Sequence, residues 1–318
     1  METGTILSRI VQAHRSYGLL IALIIVGTGF ALAAPSFATT GNLFAMLHAM
    51  GPSTLAAVGM ALVILTGKID ISIGSNAFLS ASLGALMMEA GYSPLLSFAV
   101  ILASGTLLGA INGFLVAYLR INSLIATLGT MMAFRGLGLM LTNARVIALP
   151  ESVSPLSNLM IGPIFFETII MLAIVSAVHI VHRLTSYGRT LTAVGNGEDV
   201  AAKIGLDTRR TVFSTFALAG LLAACSASTS FIQVGSISGF LGKGLEFNAI
   251  AIAVVGGISL AGGRGKIVPG VLIGAAAFQV ISNGLNQISA DPYIYQLVTG
   301  AVIFVAMYMD AFKRPATR

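Results

Sequence analysis

The stretch Ser16–Gly67 reads SYGLLIALIIVGTGFALAAPSFATTGNLFAMLHAMGPSTLAAVGMALVILTG and contains no Asp, Glu, Lys or Arg. A helix needs about 20 apolar residues to cross the hydrocarbon core of a bilayer, so this stretch is long enough for two spans. The turn-forming residues between Pro35 and Asn42 divide it. We therefore predict two membrane helices, near residues 17–34 and 43–66.

The composition of the whole chain extends this prediction. Of the 318 residues, 56% are hydrophobic and 9% are charged, with a mean hydropathy of +0.95. Soluble domains carry about 25% charged residues, so a water-soluble globule and a large soluble catalytic domain are excluded. The fold class predicted is all-α, a polytopic transmembrane bundle of about ten spans. The eight further helices are expected near residues 73–89, 94–119, 123–142, 161–181, 212–233, 245–262, 267–288 and 292–310.

The basic residues indicate the orientation, because cytoplasmic loops of membrane proteins are enriched in Lys and Arg. Arg145 and Lys243 fall in loops on one side and Arg135 falls inside the fifth predicted span. Both termini are predicted to be cytoplasmic, with an N-terminal segment 1–16, a single transmembrane domain 17–311 and a tail 312–318. The fourteen remaining basic residues all fall on the other, cytoplasmic side: Arg9, Arg15, Lys68, Arg120, Arg183, Arg189, Lys203, Arg209, Arg210, Arg264, Lys266, Lys313, Arg314 and Arg318.

Several other functions are disfavoured by what the spans contain. The net charge of +6 follows from insertion topology and forms no patch with interleaved aromatics, so nucleic-acid binding is not expected. The single Cys225 precludes an intrachain disulfide or a cysteine metal cluster, and no metal site is predicted. The spans contain no facing set of ionisable residues typical of a proton relay, which weakens the case for a proton-coupled transporter. Arg135 is expected either to restrain a gate or to anchor a helix through backbone carbonyls.

Neutral polar residues are more numerous along the spans. Amides and hydroxyls suit an uncharged, hydroxylated solute, because they offer exchangeable hydrogen bonds without a deep electrostatic trap. Interhelical hydrogen bonding is the alternative, and we expect it to account for at least half of these positions. The residues predicted to line a translocation path are Asn76, Asn112, Asn122, Thr127, Thr130, Ser230, Gln233 and Asn248.

The one substantial cytoplasmic loop is residues 182–210, which holds eight charges. Asn196 is predicted to cap a helix of about two turns whose first turn carries Glu198 and Asp199, the charge that the helix dipole favours there. Gly205 is predicted to end it. A helix of this kind is well shaped to dock into a groove on a cytoplasmic partner. The residues predicted to make that contact are Gly195, Asn196, Glu198, Asp199, Val200, Ala201, Ala202, Lys203 and Gly205.

Four stretches carry a resemblance to a known family. DVAAKIG at 199–205 resembles the EAA-x-x-x-G loop of ABC-importer permeases. GKIDISIGS at 67–75, ATLGTMMAFRG at 126–136 and GGISLAGGRG at 256–265 resemble elements of the ribose/galactose-type permeases, in the order found in that family. The chain departs from the family at Lys68, where a small Gly is usual; we expect Lys68 to be solvated or to pair with Asp70.

The resemblance implies a type II ABC-importer fold in the bacterial cytoplasmic (inner) membrane. It also implies the partners: a cytoplasmic ABC ATPase, a periplasmic or lipid-anchored sugar-binding protein and a second permease copy, all working in the lipid bilayer. ATP and Mg²⁺ would be bound by the ATPase, and this chain has no G-x-x-x-x-G-K-[ST] phosphate loop and is not expected to be an enzyme. We read Gly262–Lys266 as a tight cytoplasmic turn.

Three functions stay open at this point. The first is a monosaccharide permease that works by ATP-driven alternating access. The second is an ABC permease for branched-chain amino acids or an autoinducer, which shares the loop pattern. The third is a secondary transporter or channel, which would need no helix for docking an ATPase.

Overall fold

The computed structural model describes residue 21 and residues 23–311. The predicted segment 1–16, the first residues of the first span and the tail 312–318 lie outside the described residues. Thirteen helices are present in the described part. They are α1 Leu23–Ala33, α2 Thr40–Ala49, α3 Gly51–Leu65, α4 Ile73–Glu89, α5 Pro94–Ala117, α6 Ser123–Thr142, α7 Phe166–Leu184, α8 Ser186–Asn196, α9 Glu198–Lys203, α10 Thr208–Val234, α11 Leu245–Val255, α12 Leu272–Gln287 and α13 Pro292–Ala311.

Strands are confined to two short pairs in the described part of the chain. One pair joins β1 (Ile147–Ala148) to β4 (Ser236–Ile237), and the other is a hairpin of β2 (Met160–Ile161) and β3 (Ile164–Phe165). A 3₁₀ turn over Ser154–Asn158 lies between β1 and β2 in the chain. The predicted helical class is therefore confirmed.

The helices are long and apolar enough for a membrane protein. Among the described residues, α5, α6, α7, α10 and the stretch Ile267–Gln287 can each cross a bilayer by length and composition, and the α2–α3 pair is a sixth candidate. The count of ten spans and the orientation of the termini stay predictions.

Helix bounds agree with the predictions where turn residues mark them. The predicted helices 73–89 and 123–142 match α4 and α6 at both ends. Asn122 caps α6, because its side-chain oxygen accepts a hydrogen bond from the N–H of Leu124 at 2.9 Å. Asn122 is thus a helix cap, and its predicted place on a translocation path has no support in this geometry.

The predicted helix 43–66 is instead two helices, α2 and α3, that meet at Met50 with a bend of 44°. Pro52 has no N–H, so it cannot donate to the carbonyl of His48 four residues earlier. That carbonyl accepts a hydrogen bond from the Gln233 amide at 2.9 Å. Proline explains the break, and Gln233, predicted to line a path, satisfies the carbonyl that the break exposes.

Two predicted helices have different ends in the structure. The predicted helix 161–181 begins only at Phe166, because Gly162 and Pro163 form the turn of the β2–β3 hairpin. The predicted helix 245–262 ends at Val255. Gly257 follows with a φ of +92°, a conformation that stops a helix at little cost for glycine.

The predicted helix 267–288 begins with an irregular turn over Ile267–Val271, and α12 starts at Leu272. Val268 is extended, as the residue before a proline tends to be, and here Pro269 follows it. Ahead of this turn, the N–H of Ser259 donates to the carbonyl of Arg264 at 2.9 Å. The tight turn thus lies at Ser259–Gly262, where the N–H of Gly262 donates to the carbonyl of Ser259 at 3.0 Å, slightly before the turn predicted at Gly262–Lys266.

The core is built around α10, which packs between α3 and α5. The glycines of α5 that repeat every four residues face α10: a Cβ added at Gly109 would lie 2.9 Å from the Cα of Gly220, and one at Gly105 would lie 2.8 Å from its carbonyl oxygen. Small residues let helix backbones touch where lipid supplies no hydrophobic drive. The glycine stripe is thus a close packing surface.

Candidate coupling and translocation sites

The loop predicted to hold one short helix holds two. The first, α8, is anchored to the bundle, since Leu191 and Val194 are buried and the Tyr187 hydroxyl lies 2.8 Å from the Thr215 hydroxyl of α10. Burial raises the pKa of Tyr187, so this phenol stays protonated and able to hydrogen-bond at neutral pH. Sequence reasoning missed α8, although apolar residues recur in it at helical spacing.

The second helix, α9, corresponds to the predicted one. Glu198 and Asp199 lie in its first turn, it ends at Lys203, and Gly205 follows with a φ of +87°. The predicted cap was wrong: Asn196 is the last residue of α8, and Gly197 precedes α9. The Asn196 amide donates to the carbonyls of Thr192 and Gly263, so it closes α8 rather than opening α9.

One face of α9 is apolar and open. Val200 is 64% exposed and Ile204 is 70% exposed, whereas Ala201 beneath them is 2% exposed and packs into the bundle. Ala202 and Lys203 are exposed as well. A short helix held on its buried side, with branched apolar side chains free on the other, has the shape of a docking element.

A salt bridge joins α9 to the loop between α3 and α4. Lys68 Nζ lies 2.9 Å from Glu198 Oε2, with side-chain exposures of 28% and 41%. Lys68 therefore pairs with Glu198, whereas the sequence predicted that it would be solvated or would pair with Asp70. Asp70 is buried and accepts hydrogen bonds from the N–H and the hydroxyl of Ser72 at 2.9 and 2.6 Å, while burial raises its pKa against the effect of those bonds.

The end of α3 and the start of that loop contact the end of α8 and the stretch 256–265: a Cβ added at Gly262 would lie 2.8 Å from the backbone nitrogen of Gly67 and 2.8 Å from the carbonyl oxygen of Gly195. A Cβ added at Gly195 would collide with the carbonyl oxygen of Leu65 and with the N–H of Gly263, and the Gly263 N–H donates to that carbonyl at 2.9 Å. Two of the stretches that carry the family resemblance, 67–75 and 256–265, therefore meet beside the helix pair α8–α9.

Most residues predicted to line a path join helices instead. Asn112 is fully buried; its amide donates to the Ser72 hydroxyl at 2.6 Å, and its carbonyl oxygen accepts from the Thr130 hydroxyl at 2.7 Å. The Thr127 hydroxyl accepts from the N–H of Ile71 at 3.1 Å. These contacts connect α5 and α6 with each other and with the loop that leads into α4.

Asn76 follows the same pattern, because its amide donates to the carbonyl of Gly105 at 3.0 Å across the α4–α5 contact. Together with the cap at Asn122 and the bond from Gln233, interhelical or local hydrogen bonding accounts for six of the eight predicted path residues. That agrees with the expectation that such bonding would claim at least half of them.

The other two, Ser230 and Asn248, face cavities. A cavity of about 180 Å³ lies between α3, α4, α10 and the segment before α11. A larger cavity of about 480 Å³ lies between α2, α11, α12 and α13. Ser53 and Asn248 line both cavities, so the two adjoin along one polar edge. The further polar side chains lining the larger cavity are Gln279, Ser282, Asn283, Asn286 and Tyr295.

Gln279, Asn283 and Asn286 are neutral polar residues of the predicted spans, but of the residues around this cavity only Asn248 was predicted to line the path. Asn283 and Asn42 form reciprocal amide hydrogen bonds of 2.9 and 3.0 Å at one margin of the larger cavity. In sequence, the spacing of Gln279, Asn283 and Asn286 on one helix face was the available signal. It does not by itself distinguish a cavity wall from a helix contact.

A bundle of apolar, membrane-spanning helices with adjoining polar cavities and a short surface helix with an exposed apolar face is the architecture of a membrane permease. The family model for the permease component of branched-chain amino acid transport systems matches residues 42–307, and the chain belongs to this family. It is a multi-pass protein of the bacterial inner membrane.

Individual relatives are similar over most of the chain. The ribose import permease protein RbsC of Escherichia coli K12 is 34% identical over 304 residues, which is 93% of each chain. RbsC of Bacillus subtilis is 35% identical, covering 93% of this chain and 91% of its own. The autoinducer 2 import system permease protein LsrC of an Enterobacter strain is 35% identical, covering 88% of this chain and 81% of its own.

Proposed function

We propose that this chain is the membrane-spanning subunit of a binding-protein-dependent ABC importer that translocates a ribose- or galactose-like monosaccharide. The observation that carries the proposal is the identity of 34% to a ribose import permease over 93% of both chains. The amide- and hydroxyl-lined cavities support it, because they suit an uncharged, hydroxylated solute.

The partners follow from this function. A sugar-binding protein delivers the solute at the end of the bundle that carries Glu89 and Arg145, and two permease copies form the transport unit. A cytoplasmic ATPase docks at the opposite end, on the open face of α9 formed by Val200 and Ile204. ATP and Mg²⁺ are bound by that ATPase, and this chain performs no chemistry of its own. Both termini then lie in the cytoplasm.

Transport proceeds by alternating access. Closure of the ATPase pair moves α9, and the salt bridge from Glu198 to Lys68 connects that helix with the loop leading into α4. The solute passes the shared edge of the two cavities at Ser53 and Asn248.

Docking on α9 is tested by the variant Val200→Asp, with Val146→Asp as the matched control, since both valines are 64% exposed and lie on different loops. Val200→Asp is expected to abolish co-purification of the ATPase, because it places a charge in an apolar contact. Val146→Asp is expected to retain the ATPase. Equal retention of the ATPase by both variants would remove α9 as the docking element.

The solute is tested in proteoliposomes that contain permease, ATPase and binding protein. Uptake of labelled ribose and galactose is compared with uptake of autoinducer 2 and leucine. The autoinducer is the second candidate, favoured by the 35% identity to LsrC over 88% of this chain. Uptake of leucine alone would overturn the sugar assignment.

A further inference from the structure

Residues 235–244, called here the inward segment, run from one end of the bundle into its interior. At the start, Ser236 and Ile237 pair with β1, which follows Arg145, and Arg145 forms a bidentate ion pair with Glu89 at the C-terminal end of α4. Near the end, the carbonyl of Gly242 contacts Gly74 in the first turn of α4.

Glu89 and Gly74 are separated by fifteen residues of α4, which corresponds to about 22 Å along a helix. The inward segment lies beside α4 between these two points; residues 239–244 form successive turns, and the segment ends inside the bundle beside Gly74. Irregular backbone at such depth is tolerated in a membrane protein only where protein groups satisfy its carbonyls or where it lines a cavity. The inward segment meets both conditions.

The carbonyls of the inward segment have two kinds of partner. Those of Ser238, Phe240 and Gly242 accept hydrogen bonds from N–H groups of the segment and of Leu245, at 3.0 to 3.3 Å. The intervening carbonyls, of Gly239 and Leu241, both accept from Arg135 Nη1, at 3.3 and 2.7 Å.

Arg135 is itself held in place by its surroundings. Its guanidinium lies 4.8 Å from the ring centroid of buried Phe78, within cation–π range, and it is attracted electrostatically to Glu246 in the first turn of α11. The inward segment therefore contacts two helices: α6 through Arg135, and α4 through Gly74. Phe78 of α4 in turn contacts Arg135.

The inward segment also forms a wall of the smaller cavity. Leu241, Gly242 and Lys243 line that cavity, opposite Ser230 and Ser53. Withdrawal of the segment would open this cavity, and Arg135 bonds the carbonyls of the residues that would have to move.

We propose that Arg135 is a positioning residue for transport: it holds the carbonyls of Gly239 and Leu241 and thereby keeps the inward segment closed over the smaller cavity. This role rests on the proposed transport function. Of the two roles expected from the sequence, restraint of a gate or anchoring of a helix through carbonyls, the proposal takes the first and adds the restrained element, which is a wall of the smaller cavity.

The test measures access to the cavity in the assembled complex with the ATPase. Ser230→Cys is introduced with Cys225→Ala, which removes the single native thiol, and the rate of modification by a small cationic methanethiosulfonate reagent is recorded. Adding Arg135→Met is expected to raise this rate by about tenfold, because two hydrogen bonds are lost and such bonds inside a membrane bundle are individually weak. Arg135→Lys is expected to give an intermediate rate, because the ammonium keeps the charge without the planar fork.

Arg183→Met is the matched control, since Arg183 lies exposed in the last turn of α7, and it is expected to leave the rate unchanged. Equal modification rates in the chain with Arg135, in Arg135→Met and in Arg135→Lys would overturn the proposal. If the Arg135→Met variant does not assemble with the ATPase, the proposal is tested by the modification rate of Arg135→Lys: a rate above that of the chain with Arg135 supports it, and an equal rate overturns it.

Failure of the transport function itself is seen separately. It appears as absence of solute uptake by the complex with Arg135 intact. Failure of the positioning role appears as equal modification rates in a complex that transports.

Discussion

The effect of substituting Asn112 on the stability of the protein tests whether its amide joins helices or lines the translocation path. Its side chain is fully buried and makes two short hydrogen bonds, to Ser72 on one side and from Thr130 on the other. The substitution Asn112→Leu removes both bonds and leaves an apolar side chain that fills the space of the amide. Ser72 keeps its bond to Asp70, and the Thr130 hydroxyl keeps one to the Thr127 carbonyl at 3.3 Å.

The expected loss in stability follows from these two bonds. Each hydrogen bond contributes about 0.5–1.5 kcal/mol net in proteins, and side-chain bonds between membrane helices average about 0.6 kcal/mol. Ser72 and Thr130 retain other partners, and the buried Asp70 carboxylate, which also interacts with the Asn112 amide, keeps its two bonds from Ser72, so no buried group is left without a partner. Asn112→Leu should therefore lower the free energy of unfolding by about 1–2 kcal/mol, or about 5- to 30-fold in the equilibrium constant.

The assay is unfolding of the purified permease in mixed micelles with increasing SDS, with uptake measured on the same variants. A double-mutant cycle with Thr130→Val should show a coupling energy between the two side chains of about 0.5–1 kcal/mol. Asn248→Leu is the contrasting variant, since Asn248 lines both cavities: it should lower uptake while changing stability by less than about 0.5 kcal/mol. Unchanged stability of Asn112→Leu together with lost uptake would refute the helix-joining role.

Two further predictions concern the coupling end and the core. The substitutions Lys68→Glu and Glu198→Lys should each slow ATP-driven uptake and should largely compensate each other when combined. Because the two side chains are 28% and 41% exposed, the coupling energy between them is about 0.2–1 kcal/mol and should shrink at high salt. Additive losses in the double variant would contradict the pairing. Gly220→Ala should reduce the yield of monodisperse protein in size-exclusion chromatography, because the new Cβ meets the backbone of Gly109 at 2.8 Å, whereas Gly129→Ala, with open space at that position, should be tolerated. Equal yields would show that α5 and α10 can separate at little cost.

The sequence predicted the helices best where chain-breaking residues and charges stand at their ends. Both ends of α4 and of α6 were predicted, since Asn122 caps α6 and polar residues flank α4. Gly51 and Pro52 are a sequence signal for the break between α2 and α3, but the continuous apolar pattern led to the prediction of one helix there. Local chemistry decides helix ends, and hydropathy alone does not.

The candidate site could be predicted only in part. The short helix α9 follows from local signals, namely two acidic residues at its start and Gly205 after its end. The pairing of Glu198 with Lys68 joins residues 130 apart, and nothing in the local sequence of either specifies it. The path amides could not be separated from the joining amides for a similar reason, because both types are neutral polar residues on apolar helices and only the packing assigns their partners.

The contacts of the inward segment connect the sequence motifs with the packing of the bundle. A membrane bundle that contains irregular backbone must give its carbonyls donors and must let it approach a helix closely. Arg135 supplies the donors, and Gly74 permits the close approach, since neither it nor Gly242 could carry a Cβ at their contact. Both Arg135 and Gly74 belong to stretches that carry the resemblance to sugar-type permeases, 126–136 and 67–75. The second of these stretches begins beside α9 and ends at the wall of the smaller cavity, so one short piece of chain spans the distance between the docking helix and the cavity.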